Sequence, residues 1–151
     1  EHLHNTFEAL LELGVIPIVN ENDSVSSAEI ETGQCKVLGD NDTLSAMVAR
    51  LCSADLLILL SDIDGLYDAD PRTHPEARLI HQVAAVTPEL RAMAGGAGTW
   101  RGTGGMATKL NAAQLCLEAG IDMVIANGSN MEAVYDIVAG KDVGTRFTRP
   151  R

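Results

Sequence analysis

Residues 56–60 form an uninterrupted apolar run, LLILL, that is followed by the polar pair Ser61 and Asp62. A run of this kind is typical of a strand that is buried on both faces, as in a parallel sheet covered by helices on each side. A second apolar run at residues 123–126, MVIA, predicts another such strand. The two runs therefore favour the α/β class of folds.

Apolar residues also recur at helical spacing around these two runs. This spacing predicts helices at residues 5–13, 43–52, 87–94, 107–119 and 130–139. The predicted N-caps are Asn5, Asp42 and Ser129, because short polar side chains satisfy the first backbone N–H groups of a helix. Glu8 and Glu132 follow two of these caps at the spacing of a capping box.

Residues 15–20, VIPIVN, predict a further buried strand, although Pro17 cannot donate to a ladder. Residues 24–39 show no strong period and are interpreted as a hairpin or a long loop. The elements then alternate between helix and strand, an order typical of parallel sheets. We expect a mostly parallel sheet sandwiched between helices, in a single domain over residues 1–151.

The composition excludes several classes of function. The chain has 11 basic and 21 acidic residues and a net charge of −10, so a nucleic acid is not an expected partner. No apolar run is long enough to span a membrane, and no membrane partner is expected. Three cysteines lack the spacing of a disulfide framework or a zinc site, which favours a cytoplasmic protein with reduced thiols and no protein-bound metal.

Polar clusters follow the predicted strands, where ligands bind in open α/β sheets. They are NEND at residues 20–23, SDIDG at 61–65 and NGSN at 127–130. NEND has two carboxylates and two amides, which would suit the ammonium and carboxylate of an α-amino acid, but it is equally compatible with a plain turn. All four histidines are interpreted as surface or structural residues because none has a partner at a suitable spacing.

The stretch GTGGMATK, residues 102–109, leads into a predicted helix. Its glycines allow the backbone to approach a ligand closely, and a helix N-terminus attracts anions. Lys109 adds a positive charge in the first turn. The order of Thr108 and Lys109 is the reverse of that in a P-loop. A phosphate-binding loop and a flexible connector are therefore both compatible with this stretch.

A second stretch, GDND at residues 39–42, places two aspartates around Asn41 just before a helix. One aspartate suffices as a cap, and two so close together repel each other. The second carboxylate is explained if it orients a lysine, another cation or an ammonium-bearing substrate. The alternative is an Asx turn combined with an ordinary N-cap.

Together these stretches resemble the amino acid kinase family. The matching segments are IPIVNENDSV, GDNDTLSAMVA, LLILLSDIDGLYDADPR and GTGGMATKLNAA, in the order and at the separations found in that family. NEND combined with GDND is similar to the members that phosphorylate L-glutamate, rather than acetylglutamate, aspartate, uridylate or carbamate. The resemblance implies an α/β/α sandwich that transfers the γ-phosphoryl group of ATP to the side-chain carboxylate of glutamate, at the first step of proline biosynthesis, with Mg²⁺ as cofactor.

The resemblance also implies roles for individual residues. Asp42 and Lys109 would be catalytic, Asp42 by organising lysines and Lys109 by reaching the transferred group. The glutamate would be held by Asp23 and Asn41, with Asn20 beside them. The nucleotide would contact the following set: Ser61, Asp62, Thr103, Gly104, Gly105, Met106, Ala107, Thr108 and Lys109.

The chain departs from the family pattern because it contains neither the first strand with its K-x-G motif nor the Ser-Gly-Ala loop. A C-terminal RNA-modification-type (PUA) domain, which some members carry, is not expected either. The chain therefore corresponds to the C-terminal, nucleotide-binding part of a kinase domain. It is expected to be inactive alone and to work as a homo-oligomer, with residues 24–39 over the substrate pocket. The alternatives are another acceptor within the family, or a nucleotide-binding module without catalysis.

Overall fold

The computed structural model describes residues 2–20, 40–94 and 105–149. Five helices and four strands lie within these ranges. In chain order they are α1 His2–Glu12, α2 Asn41–Leu51, β1 Leu56–Ser61, β2 Gln82–Val83, α3 Pro88–Ala94, α4 Met106–Glu118, β3 Asp122–Asn127, α5 Ala133–Val138 and β4 Thr145–Phe147.

The four strands form one sheet in the order β1-β3-β4-β2. β1 is parallel to β3 and β2 is parallel to β4, whereas β3 and β4 are antiparallel. The prediction of a mostly parallel sheet is therefore confirmed. The β1–β3 register pairs Ser61 with Asn127, so the carboxyl ends of both strands lie at the same edge of the sheet.

Helices cover both faces of the sheet, as the sandwich prediction requires. Met123 and Ile125 belong to a large apolar core that includes Leu110 of α4 and residues of α2. Val124 and Ala126 point the other way and pack in a second cluster with Ile137 of α5. This alternation follows from the two-residue period of a strand, and it makes β3 the central strand that the apolar run at 123–126 predicted.

The strand predicted at residues 15–20 is wrong. The structure gives these residues no strand pairing within its described part. Ile16 and Ile18 are 87% and 97% exposed. Apolar character alone does not make a strand, because a strand also needs a neighbour to take its backbone hydrogen bonds, and Pro17 lacks one donor.

β1 also differs from the prediction of burial on both faces. Leu59 is buried, but Leu60 is exposed. The reason is its place in the sheet: among the described strands, β1 is paired only with β3 and lies at an edge.

Three predicted caps are also wrong. α1 begins at His2, which places Asn5 inside the helix. The cap of α2 is Asp40, whose side chain accepts a hydrogen bond from the backbone N–H of Thr43. α5 begins only at Ala133. Its N-cap residue is Glu132, whose side chain makes no capping hydrogen bond.

Instead of a Ser129–Glu132 box at the start of α5, the Asn130 side chain accepts from the Glu132 N–H at 3.1 Å. Amide side chains of this kind compete with helical bonding and delay the helix start. The helices predicted at 87–94 and 107–119 are confirmed to within one residue at each end. Over the described ranges, no helix has the length and apolar character needed to cross a bilayer.

Candidate functional site

A cavity of about 420 Å³ lies at the carboxyl end of β1. Its walls come from three parts of the chain: the segment after β1, the end of α3 and the start of α4. The lining residues are Ser61, Asp62, Ile63, Gly65, Leu66, Tyr67, Ala69, Asp70, Pro71, Thr73, His74, Met93, Ala94, Gly105, Met106 and Lys109. This is the position at which an α/β sheet typically binds its ligand.

Lys109 is a buried cation in the first turns of α4 that lines this cavity. Its Nζ lies 3.1 Å and 3.3 Å from the two carboxylate oxygens of Asp42, in the first turn of α2. The two side chains are only 9% and 15% exposed. Burying a charged group is costly unless it is paired, so Asp42 and Lys109 form a buried ion pair in which Asp42 fixes the place of the ammonium group at the cavity wall.

The two aspartates of GDND have separate tasks. Asp40 caps α2, accepting from the Thr43 N–H at 2.6 Å and from the Thr43 hydroxyl at 3.0 Å. Asp42 instead points to α4 and holds Lys109. Two neighbouring carboxylates are tolerated because each has its own donors. Of the two alternatives that the sequence left open, the one with a lysine describes this geometry.

Thr108 makes hydrogen bonds at the junction between the glycine-rich stretch and α4. Gly105 occupies the N-cap position of α4 without a side chain of its own. Its carbonyl accepts from the Thr108 N–H at 3.1 Å. The Thr108 hydroxyl lies 2.7 Å from the Asp42 carboxylate and 2.7 Å from the Gly105 carbonyl. Hydroxyl and carboxylate together therefore tie the start of α4 to the start of α2.

A polar cluster links the ends of β1 and β3 beside the cavity. Asp64 accepts from the Tyr67 hydroxyl at 3.0 Å and from the Asn127 side chain at 2.8 Å. Partial burial, the hydrogen bond to Asp64 and the Asp64 charge, in that order, raise the pKa of Tyr67. Tyr67 therefore remains a neutral phenol at the cavity wall. Ser61 donates to Asp62 at 3.1 Å at the same sheet edge.

Thr145 of β4 fixes the cavity wall after β1 through two hydrogen bonds. The buried Thr145 hydroxyl donates to the Ile80 carbonyl at 2.6 Å and accepts from the Leu66 N–H at 2.8 Å. Gly65 has φ +155, and a Cβ there would lie 2.5 Å from the same hydroxyl oxygen. A glycine is therefore required next to Leu66, because a side chain would push this wall away from the sheet.

The structure brings together five of the nucleotide candidates. Ser61, Asp62, Gly105, Met106 and Lys109 all line the cavity. Ala107 is exposed in the first turn of α4. Thr103 and Gly104 lie outside the described residues.

The amino-acid candidates lie elsewhere. Asn20 and Asn41 line a second cavity of about 790 Å³ beside α2 and β1. Asn41 is next to Asp42 in the chain, so the Asp42–Lys109 pair connects the elements that border both cavities. Asp23 lies outside the described residues, as does the segment 24–39.

Sequence reasoning missed several residues of the first cavity. His74 is exposed, as expected of a surface residue, but it also lines the cavity together with Tyr67 and Met93. The sequence indicated only a turn at Asp70, and in the structure the Asp70 carbonyl accepts from the N–H groups of Thr73 and His74. No sequence signal pointed to Tyr67 or Met93. Within the described ranges, no group of three or more His, Cys, Asp or Glu side chains is placed to hold a metal ion.

The helix-covered sheet and the lysine at the start of α4 agree with the expected fold, and this chain belongs to the amino acid kinase family. The family model matches residues 1–127. Among individual proteins, the chain is similar to glutamate 5-kinases. The one from Clostridium perfringens (strain 13 / Type A) is 55% identical over 143 residues, which cover 95% of this chain and 52% of that protein.

The glutamate 5-kinase from Listeria innocua serovar 6a is 52% identical over 147 residues, covering 97% of this chain and 52% of the relative. The chain thus spans about half the length of the curated relatives it matches. Two solved structures share the fold. UMP kinase from Ureaplasma parvum has a TM-score of 0.58 at 17% identity, over 97% of this chain and 53% of its own. Uridylate kinase from Archaeoglobus fulgidus has a TM-score of 0.53 at 24% identity, over 71% and 46%.

Proposed function

We propose that this chain supplies the nucleotide-binding part of a kinase that transfers the γ-phosphoryl group of ATP to the side-chain carboxylate of L-glutamate, the first step of proline biosynthesis. The observation that carries the proposal is the buried Lys109, which lines the cavity at the start of α4 and is paired with Asp42. The similarity to glutamate 5-kinases supports the choice of acceptor.

The cavity has the two kinds of surface that a nucleotide needs. Leu66, Tyr67 and Met93 provide apolar area for a base and a sugar, and Lys109 provides a positive charge for phosphates. α4 has 13 residues and begins at the cavity, so its dipole adds to the attraction for an anion. Volumes of this size are typical of small-molecule sites.

The donor set also fits a Mg²⁺ ion that arrives with the nucleotide. Asp62 and Asp70 are carboxylates among the lining residues, and Mg²⁺ is commonly held by one or two carboxylates and by substrate phosphates. When bound, the ion would neutralise phosphate charge.

Phosphoryl transfer needs positioning and electrostatic stabilisation rather than a covalent nucleophile. In this proposal the Lys109 ammonium contacts the transferred phosphoryl group, and Asp42 keeps the ammonium in place. Asn41 and Asn20, which line the second cavity, hold the glutamate, and Asp23 is assigned to it by the family resemblance. The segment from Ser61 to His74 forms one wall of the cavity in which the phosphates would lie.

Isothermal calorimetry with Mg-ADP tests the nucleotide site. Lys109→Ala should weaken binding by about 10- to 100-fold, as expected for the loss of a hydrogen-bonded charge. Lys141→Ala is the matched control, since Lys141 pairs with Asp136 on the surface at 2.7 Å, and it should bind normally. Circular dichroism checks that each variant is folded, and Lys109→Met replaces the alanine variant if that one is not. Unchanged affinity in a folded Lys109 variant refutes the assignment.

The acceptor is tested by glutamate-dependent ADP release. The chain alone should turn over very slowly. A chimera in which this chain replaces the matching part of the Clostridium perfringens relative should gain this activity with glutamate and not with acetylglutamate, aspartate, carbamate or UMP. Equal activity with another acceptor would assign the chain to a different branch of the family.

The second candidate is a nucleotide-binding module without catalysis, which rests on the cavity beside Lys109 alone. It predicts Lys109-dependent Mg-ADP binding in the chain, but a chimera without activity. A homo-oligomeric state and a cytoplasmic location also remain part of the proposal, and sedimentation equilibrium of the chimera tests the first of them.

A further inference from the structure

Thr108 has one hydroxyl proton and two acceptors at equal distance. Asp42 Oδ2 and the Gly105 carbonyl oxygen each lie 2.7 Å from its Oγ1. The Gly105 carbonyl also accepts from the N–H groups of Thr108 and Lys109 at 3.1 Å and 3.4 Å. Asp42 offers the stronger bond, because hydrogen bonds to a carboxylate are about twice as strong as neutral ones. The proton therefore belongs on the bond to Asp42.

This bond determines how the Asp42 carboxylate is oriented. Its Oδ2 receives both the Thr108 hydroxyl at 2.7 Å and the Lys109 ammonium at 3.1 Å. The two donors are consecutive residues of α4, so two side chains from one helical turn bind the same carboxylate oxygen.

Thr108 is not among the residues that line the cavity. Of the described residues at the start of α4, Gly105, Met106 and Lys109 line the cavity and Thr108 does not. Its N–H is bonded to the Gly105 carbonyl and its hydroxyl to Asp42. These contacts give its polar groups partners within the protein, whereas the family resemblance placed Thr108 on the nucleotide.

We infer that Thr108 is a positioning residue, which acts on the nucleotide only through Asp42 and thereby sets the place of the Lys109 ammonium. The inference rests on the proposed function, in that Lys109 must meet the nucleotide phosphates. It differs from direct phosphate contact in one measurable way: the effect of Thr108 must vanish when Asp42 is absent.

A double-mutant cycle measures this dependence. Thr108→Val keeps the shape and removes the hydroxyl, and it should raise the Kd for Mg-ADP about tenfold, a typical effect of losing a hydrogen bond to a charged group. Thr108→Ser retains the hydroxyl and should bind within about twofold of the parent chain. Adding Thr108→Val to Asp42→Ala should leave the Kd of the Asp42→Ala variant unchanged. Fold-changes that multiply in the double variant would show direct contact and overturn the inference.

Thr43→Val is the matched control. Its hydroxyl also donates to an aspartate, Asp40, at 3.0 Å. Asp40 caps α2, whereas Asp42 is the aspartate that pairs with Lys109. The variant should lower the melting temperature and leave Mg-ADP affinity unchanged. If Thr108→Val does not fold by circular dichroism, Thr108→Ala takes its place in the cycle.

The cycle also separates the two proposals. Normal affinity in the Lys109 variants refutes the nucleotide site itself. Weak binding in the Lys109 variants, combined with normal binding in Thr108→Val, refutes only the positioning role. An equal loss of affinity in Thr43→Val and Thr108→Val would mean that both act through general stability, and it would also overturn the inference.

Discussion

Thr145→Val is the perturbation whose size follows most directly from the structure. Thr145 is 0% exposed, and its hydroxyl joins three segments: it donates to the Ile80 carbonyl at 2.6 Å and accepts from the Leu66 N–H at 2.8 Å. Valine has almost the same shape, so the substitution leaves no cavity. It removes both hydrogen bonds and leaves two backbone groups without this partner.

Leaving a buried polar group unsatisfied costs roughly 1–3 kcal/mol. The Leu66 bond is fully buried and the Ile80 bond is partly buried, so we expect a loss of about 3 kcal/mol of unfolding free energy. For a domain of this size, that corresponds to about 6–12 °C in melting temperature. Thr145→Ser retains both bonds and loses only one methyl group, for which about 1 kcal/mol is expected.

Urea unfolding followed by circular dichroism gives both free energies, with the slope against urea checked for constancy. Thr145→Val should be the less stable variant by about 2 kcal/mol. Equal destabilisation of the two variants would show that packing of the methyl group, rather than the two hydrogen bonds, is what Thr145 contributes. That result would refute the explanation given for the anchored cavity wall.

Two further predictions use matched pairs of residues. Gly144 and Gly140 have φ values of +66 and +82, but a Cβ on Gly144 would collide with the Ile125 carbonyl, whereas a Cβ on Gly140 meets nothing within 4 Å. Gly140→Ala should therefore cost about 1–2 kcal/mol for the backbone conformation alone, and Gly144→Ala at least about 3 kcal/mol; equal urea midpoints would contradict this. Burial raises the pKa of Cys116 to about 11, so at pH 8 its thiol stays protonated and inert while the partly exposed Cys52 is alkylated. Peptide mapping after iodoacetamide treatment checks this, and rapid native labelling of Cys116 would contradict it.

The central elements could be predicted from the sequence because their signals are local. The apolar run at 123–126 and the helical spacing at 107–119 correspond to β3 and α4. β2 and β4 have two and three residues, and the polar Arg146 lies in the middle of β4. Strands this short have no pattern of their own, and their existence depends on the neighbours that pair with them.

The charge argument left a lysine as one of several partners for the second aspartate of GDND, and only the family resemblance assigned lysines to Asp42. Which aspartate caps α2 could not be predicted, because both precede the helix at plausible positions. The structure assigns the cap to Asp40 through its two bonds to Thr43. His74 and Tyr67 were missed because tertiary contacts place them at the cavity: the turn at Asp70 for His74, and the pairing with Leu79 and the bond to Asp64 for Tyr67. The segment 15–20 shows the opposite failure, in which local apolarity predicted a strand that has no pairing within the described residues.

The bonds that assemble the cavity connect distant parts of the chain. Lys109 and Asp42 are 67 residues apart, and Leu66 and Thr145 are 79 apart. Contacts of such separation require large loops to close, which slows folding and places these contacts late among its events. A nucleotide that binds only after these contacts have formed would shift the folding equilibrium toward the folded state by mass action. Protection from proteolysis by Mg-ADP should therefore extend to α2, α4 and β4 together, so that nucleotide occupancy reports whether the whole unit has folded.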